Sequence, residues 1–253
     1  METINDNILR IKVPFEDIYT TVFIIKTKGG TVIFDTATYD SDVDEYILPA
    51  IEKAGVKEDV KCVFLSHSHR DHAGGLERFM QIFPDARVLT RSQKLAEKYK
   101  TAYLPNDREV IFDVLEVVTI NGHSNDCMAI FDRRTGTLLT GDCLQVYGIF
   151  GRGAWGSNIT DISGHFHDLE KLKTINIKTL IASHDYHPLG YISREDEVIK
   201  YIDTCKESIY NLRKFCDAHK ELDDEQLKEL YNSTHTLPTV SVRVFKAIKN
   251  ATF

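Results

Sequence analysis

At 253 residues the chain is long enough for one large domain or two small ones. Its 31 Lys and Arg against 38 Asp and Glu leave a formal charge of −7, which argues against a protein devoted to nucleic acid, because that task needs a basic footprint. Hydrophobic residues at 42% and charged residues at 27% allow a sizeable core, while no stretch approaches the ~18–20 apolar residues of a membrane span.

The N-terminal stretch METINDNILRIKVPFED mixes polar and charged residues and lacks the basic region and apolar run of a secretory leader. The cysteines (Cys62, Cys127, Cys143, Cys205, Cys216) are odd in number and without C-x-x-C spacing, so a disulfide framework is not expected and a reducing cytoplasm is. The first third then reads as strands: Ile8–Val13 alternates, Tyr19–Lys26 is β-branched and aromatic, and Thr31–Asp35 follows a Gly29-Gly30 turn. Helical spacing over Asp42–Ala54 ends at Gly55. Lys61–Ser66 is a short apolar run, as expected of a strand buried on both faces. A helix over Gly75–Phe83, a strand over Arg87–Thr90 and a helix capped by Ser92 come next.

The middle returns to strands at Glu109–Phe112, Leu115–Ile120, Cys127–Phe131 and Thr137–Thr140, with a turn at Arg133–Gly136. Residues 145–162 are Gly-rich and read as an irregular, mobile loop. A helix over Asp168–Ile175, a strand over Thr179–Ala182, and an amphipathic helix over Ser193–Lys220 (with Val198, Ile199, Ile202, Cys205, Ile209, Leu212 and Phe215 on one stripe) follow. Two shorter helices, Asp223–Tyr231 and Val240–Ile248, close the chain. Strands interleaved with helices predict an α/β layered architecture.

The chemistry is carried by His67-Ser-His69-Arg-Asp71-His72, directly after the buried strand. Imidazole and carboxylate donors packed this closely suit zinc, and also iron or manganese. The structural alternative is a solvated loop that happens to be rich in histidine. Further metal-capable residues stand just beyond other apolar strands: His123 after Leu115–Ile120, Asp142 after Thr137–Thr140, and His184 after Thr179–Ala182. Function in α/β sheets collects at strand ends, where loops converge.

In this order of strand, H-x-H-x-D-H, and a later His, Asp and His, the sequence resembles the metallo-β-lactamase superfamily, over roughly Ile8 to Lys220. The resemblance implies an αββα four-layer sandwich with a metal site at one edge of the sheets, residues 1–220 forming that domain and 221–253 a helical extension. It implies His67, His69 and His123 as ligands of a first metal, Asp71, His72 and His184 as ligands of a second, and Asp142 as the bridging carboxylate. Two divalent ions, zinc before iron or manganese, would then hold a hydroxide that attacks an ester, thioester or lactone of a small molecule. Asp71 is also expected to take part in catalysis by receiving that hydroxide's hydrogen bond or proton. Asp35 stands at the family's usual aspartate position and either orients a ligand histidine or simply forms a turn.

Departures bear on substrate. Many relatives read Gly-His-Thr-Pro-Gly where this chain has Gly122-His123-Ser124-Asn125-Asp126, and acyl-homoserine lactonases carry a tyrosine where it has Gln145. Flavodiiron relatives replace a histidine of the first motif with glutamate, and the class B β-lactamases place a cysteine where Asp142 stands. Cys143 is read as a neighbour. The G-x-G-x-x-G at Gly151–Gly156 opens no helix pattern and is rejected as a dinucleotide site. Tyr147, Phe150, Arg152 and Trp155 either line a substrate pocket or pin the loop, and His187 is a candidate substrate contact or proton donor. His165 and His167 read as surface or capping histidines in preference to a further metal site. The C-terminal helices offer a packing or dimerising face, so a homo-oligomer is possible. The alternatives to acyl hydrolysis are a small-molecule phosphodiesterase and a metal-containing ligand sensor without turnover.

Overall fold

The computed structural model describes residues 1–15, 18–144, 147–150, 153–156, 158–184, 190–234 and 240–252. They fall into two compact units: Met1–Thr119 with Met128–Arg134, and Ile120–Cys127 with Thr135–Phe253.

In the first unit the β-branched and aromatic runs become a seven-stranded sheet among the described residues, in sequence order. Its strands are β1 (Glu2–Asn5), β2 (Ile8–Phe15), β3 (Ile18–Thr27), β4 (Gly30–Phe34), β5 (Val60–Phe64), β6 (Arg87–Leu89) and β7 (Ala102–Tyr103). Pairing is antiparallel from β1 to β4 and parallel from β4 to β7. Both faces are buried. Leu9, Ile11, Val13, Ile24, Ile33 and Val63 pack with Val43, Ile47, Ile51, Leu76 and Phe79. On the alternate positions Phe34 meets Phe23 edge-on at 5.7 Å and stacks on Phe64 at 5.4 Å.

Parallel strands need crossovers, and these carry the helices. The helix expected over Asp42–Ala54 is broken into α1 (Asp40–Asp42), a π-helical turn (Val43–Ile47) and α2 (Leu48–Lys53). Pro49 is the physical reason: it lacks an N–H and its ring crowds the carbonyl one turn back. Gly55 ends the segment at φ +67°. After β5 come α3 (Arg70–Ala73), α4 (Leu76–Ile82) and, past β6, α5 (Gln93–Lys98). Gly74 lets α3 approach the chain after β4, since a Cβ there would stand 2.0 Å from the Thr38 carbonyl oxygen. An antiparallel ladder of β8 (Val110–Ile111), β9 (Leu115–Thr119) and β10 (Met128–Asp132) completes the unit.

In the second unit β11 (Thr137–Leu139) pairs in parallel with β14 (Thr179–Ile181), which pairs antiparallel with β15 (Tyr191–Ile192). The stretch expected to be irregular holds an antiparallel ribbon, β12 (Tyr147–Phe150) with β13 (Gly153–Gly156). Backbone pairing there overrides the weak strand propensity of its glycines, each of which is in register with a non-glycine residue. Helix α6 (Ile162–Lys173) begins well before the expected Asp168. Asp161 caps it by accepting the Gly164 N–H at 2.9 Å, although Gly164 and His165 are poor helix formers. Helices α7 (Glu195–Ala218), α8 (Asp224–Thr234) and α9 (Val242–Asn250) share a core of Ile209, Leu212, Leu227, Val244, Phe245 and Ile248 with Ile159 and Ile162. Ile199, expected on the buried stripe of α7, is 38% exposed. Among the described residues no helix is long and apolar enough to cross a membrane.

Candidate metal centre

Within the first unit the parallel register of β4 and β5 pairs Phe34 with Phe64, so the residues after each strand run side by side. Asp35 turns into the left-handed region at φ 64°, a conformation that aspartate tolerates better than most residues. Its carboxylate accepts the Ser66 N–H at 2.7 Å and the Ser66 hydroxyl at 2.8 Å, and lies 2.8 Å from His72 Nδ1. Burial pushes the Asp35 carboxyl up from its ordinary value, opposed by the adjacent His72 and the Ser66 hydrogen bonds. Ser66 Oγ also stands 3.1 Å from His67 Nδ1. The backbone of the loop is tied down as well, with His72 O accepting the Thr36 N–H at 2.7 Å.

The outcome is a crowd of imidazoles. The His67 ring lies 4.5 Å from His69 and 4.2 Å from His72, centroid to centroid, with His67 and His72 fully buried. Asp71 Oδ2 lies 3.3 Å from His72 Nε2. His72 thus uses Nδ1 to meet Asp35 and turns Nε2 towards Asp71, the division of labour that fixes the tautomer of a metal-binding histidine.

The second unit holds His123, Asp142 and His184, all buried. Leu139 pairs with Ile181, and the two strand ends stay together as the Ser183 N–H donates to the Gly141 carbonyl at 3.2 Å. Gly141, at φ 58°, supplies the turn that a bulkier residue would strain. The Asp142 carboxylate then faces two ways: Oδ1 lies 3.4 Å from His184 Nε2, and Oδ2 lies 3.8 Å from His123 Nε2. His123 Nδ1 is 3.1 Å from the Asn158 carbonyl, which leaves Nε2 turned towards Asp142. Cys143, also buried, has its thiol held up by burial, by the neighbouring Cys127 and by Asp142, so it is a neutral neighbour.

The donor chemistry fits a metal. Atoms ~2.0–2.2 Å from a shared tetrahedral ion stand ~3.3–3.6 Å apart, longer than a good hydrogen bond. The His184–Asp142 and His72–Asp71 pairs, at 3.4 and 3.3 Å, have that spacing, and His123–Asp142 is slightly wider. The chain therefore carries His/Asp clusters of the composition a dinuclear metal site requires.

The sequence gives no site role to Ser66, Asn158 or Asp168. Only Ser66 left a signal, its place directly before His67. Among the expected substrate contacts, Tyr147, Phe150 and Trp155 belong to the β12–β13 ribbon, while Arg152 and His187 lie outside the described residues. His165, expected at the surface or in a cap, is 1% exposed within α6.

The profile of the Metallo-beta-lactamase superfamily matches residues 16–184. The chain belongs to this superfamily, whose members are mostly hydrolases. It has the αββα fold of the family, with two mixed sheets and C-terminal helices. Among curated proteins it is 22% identical over 213 residues to the Beta-lactamase-like protein 2 homolog of Caenorhabditis elegans, covering 79% of this chain and 69% of that one. It is 27% identical over 168 residues to the hydroxyacylglutathione hydrolase of Nostoc sp., covering 60% of this chain and 63% of the other, so less than two thirds of that relative is spanned. Among solved structures, a metallo-beta-lactamase family protein from Thermus thermophilus superposes with a TM-score of 0.64 at 18% identity, over 98% of this chain and 92% of that one. Rubredoxin oxygen:oxidoreductase from Desulfovibrio gigas gives 0.65 at 13% identity, over 89% and 73%. Likeness at such identities shows the fold alone.

Proposed function

We propose that the protein is a dinuclear metal-dependent hydrolase of small acyl compounds, namely esters, thioesters or lactones. His67, His69 and His123 would hold one ion, Asp71, His72 and His184 would hold the other, and Asp142 would serve both. The observation that carries this reading is the Asp142 carboxylate, buried and turned with one oxygen to His123 Nε2 and the other to His184 Nε2. Two divalent ions, zinc in the first place, supply Lewis acidity towards the substrate carbonyl and activate water near neutral pH.

The protein's own groups do the rest. Asp35 and Ser66 fix the histidine rings, so that little reorganisation is needed during reaction. Asp71, the partly exposed carboxylate of the loop, is assigned the role of accepting a proton and passing it on. The β12–β13 ribbon follows Asp142 closely in sequence and is assigned to substrate contact. Thioesters rank first among the acyl substrates, because relatives named hydroxyacylglutathione hydrolase, from Nostoc sp. and Schizosaccharomyces pombe, act by that name on an acylated thiol.

The test compares kcat/KM of the metal-loaded protein on an acylglutathione, a p-nitrophenyl ester, a lactone and bis-p-nitrophenyl phosphate. Turnover is expected on the acyl compounds, highest on the thioester. Preference for the phosphodiester, or tight binding of an acyl compound without turnover, would refute the acyl hydrolase.

A further inference from the structure

The sequence assigns His165 and His167 to the surface or a helix cap, yet His165 is among the most deeply buried polar residues of the second unit. Its Nδ1 is buried and has no hydrogen-bond partner among the described residues. The ring lies directly against Gly122, where an added Cβ would stand 2.5 Å from Nδ1 and 2.8 Å from Cγ. Gly122 immediately precedes His123. The same stretch of chain holds the residues on both sides of it. Asp168, one turn further along α6 and 2% exposed, accepts the Asn121 N–H at 2.7 Å and the Asn121 side-chain amide at 3.1 Å. The Gly122 carbonyl accepts the N–H groups of Thr160 at 2.8 Å and Asp161 at 3.1 Å, and the Asn158 carbonyl meets His123 Nδ1 at 3.1 Å.

We propose that His165 and Asp168 are positioning residues that clamp the Asn121-Gly122-His123 turn and so aim His123 Nε2 at its ion. The inference rests on the reading of His123 as a metal ligand. Asp168 fixes where the turn begins, and its carboxylate is held in turn by Lys171 at 3.1 Å. His165 fills the space under Gly122, so the turn cannot sink towards α6, and the two N–H groups at the start of the helix hold the Gly122 carbonyl. A ligand imidazole depends on such support, and loss of it costs about 10- to 100-fold in metal affinity. The packing role needs the ring and not its charge, and burial keeps the ring neutral by pulling its pKa down to about 4.

The experiment uses the full-length protein and the variants Asp168→Ala, His165→Ala and His165→Phe, with Glu170→Gln on the exposed face of α6 as control. Metal content is measured after dialysis, stepwise affinities by competition with a chromophoric chelator, and ligand geometry from the visible spectrum of the cobalt-substituted protein. Circular dichroism checks that each variant is folded. Asp168→Ala and His165→Ala are expected to weaken one of the two ions about 10- to 100-fold and to shift its cobalt bands, leaving the other ion bound. His165→Phe, which restores a ring under Gly122, should recover most of the affinity, as Glu170→Gln should throughout. Wild-type affinities and spectra in both alanine variants would overturn the clamp while leaving the hydrolase standing. A wild-type protein that binds no metal at all would overturn both together.

Discussion

Burying His165 ties the stability of the protein to pH in a way that one substitution can isolate. Burial pulls its pKa from the ordinary 6.5 to about 4. Between those values the unfolded chain takes up a proton that the folded chain refuses. The stability this histidine permits is therefore complete above pH 6.5 and is lost as the pH falls towards 4. At about 1.4 kcal/mol per pH unit the whole gap is worth about 3 kcal/mol, of which about 2 kcal/mol goes between pH 7 and pH 5. That is a large share of the ~5–15 kcal/mol that holds a typical domain folded. His165→Phe keeps an aromatic ring under Gly122 and cannot titrate, so its stability should escape this loss. Urea unfolding followed by far-UV circular dichroism, for both proteins at pH steps from 7 to 5, measures the difference, in which every other titrating group cancels. The variant is expected to gain about 2 kcal/mol on the wild type across that range. A difference that stays flat to within about 0.5 kcal/mol would mean that His165 takes up its proton in the folded state, and the burial argument would fail.

Asp35→Ala removes the acceptor for the Ser66 N–H and hydroxyl and the partner of His72 Nδ1, and places alanine at φ 64°. A loss of about 3–5 kcal/mol in urea unfolding is expected together with reduced metal content, and a loss below about 1 kcal/mol would contradict the network. Asp142→Ala takes away both carboxylate oxygens that face His123 and His184, and elemental analysis of the purified protein should find both ions depleted. Retention of two ions with near-normal activity would show that Asp142 does not bridge.

The donors were legible because metal chemistry is written in residue type. Histidine and aspartate are costly at the end of a buried strand unless something uses them, so H-x-H-x-D-H after Lys61–Ser66 stood out without any structure. The support around them was not legible. Asp35 touches Ser66 and His72 across 31 and 37 residues of chain, and only the parallel register of β4 and β5 closes that distance. Likewise Asp168 reaches Asn121 across 47 residues. Where local propensity misled, a longer-range or capping interaction had won. The β12–β13 ribbon forms through backbone pairing despite its glycines, and α6 starts at Ile162 because Asp161 caps it ahead of Gly164 and two histidines.

Both units reach their donors by the same device, and this explains why so short a set of motifs specifies so much. In each, two neighbouring parallel strands end side by side: Phe34 pairs with Phe64 in one, Leu139 with Ile181 in the other. Parallel neighbours run in the same direction, so the residues that follow them emerge at one rim. In the second unit Asp142 and His184 each stand three positions past their paired residues and meet at 3.4 Å. In the first, Asp35 leaves one strand end and meets the loop that leaves the other at Ser66 and His72. A slip of one residue in either ladder would turn every side chain of the slipped strand to the opposite face and carry its donor away from the partner. The wholly buried strands forbid that slip, since it would exchange the apolar sets of two packed faces. The hydrophobic core thus sets the clustered histidine and aspartate donors of each unit in place through strand register.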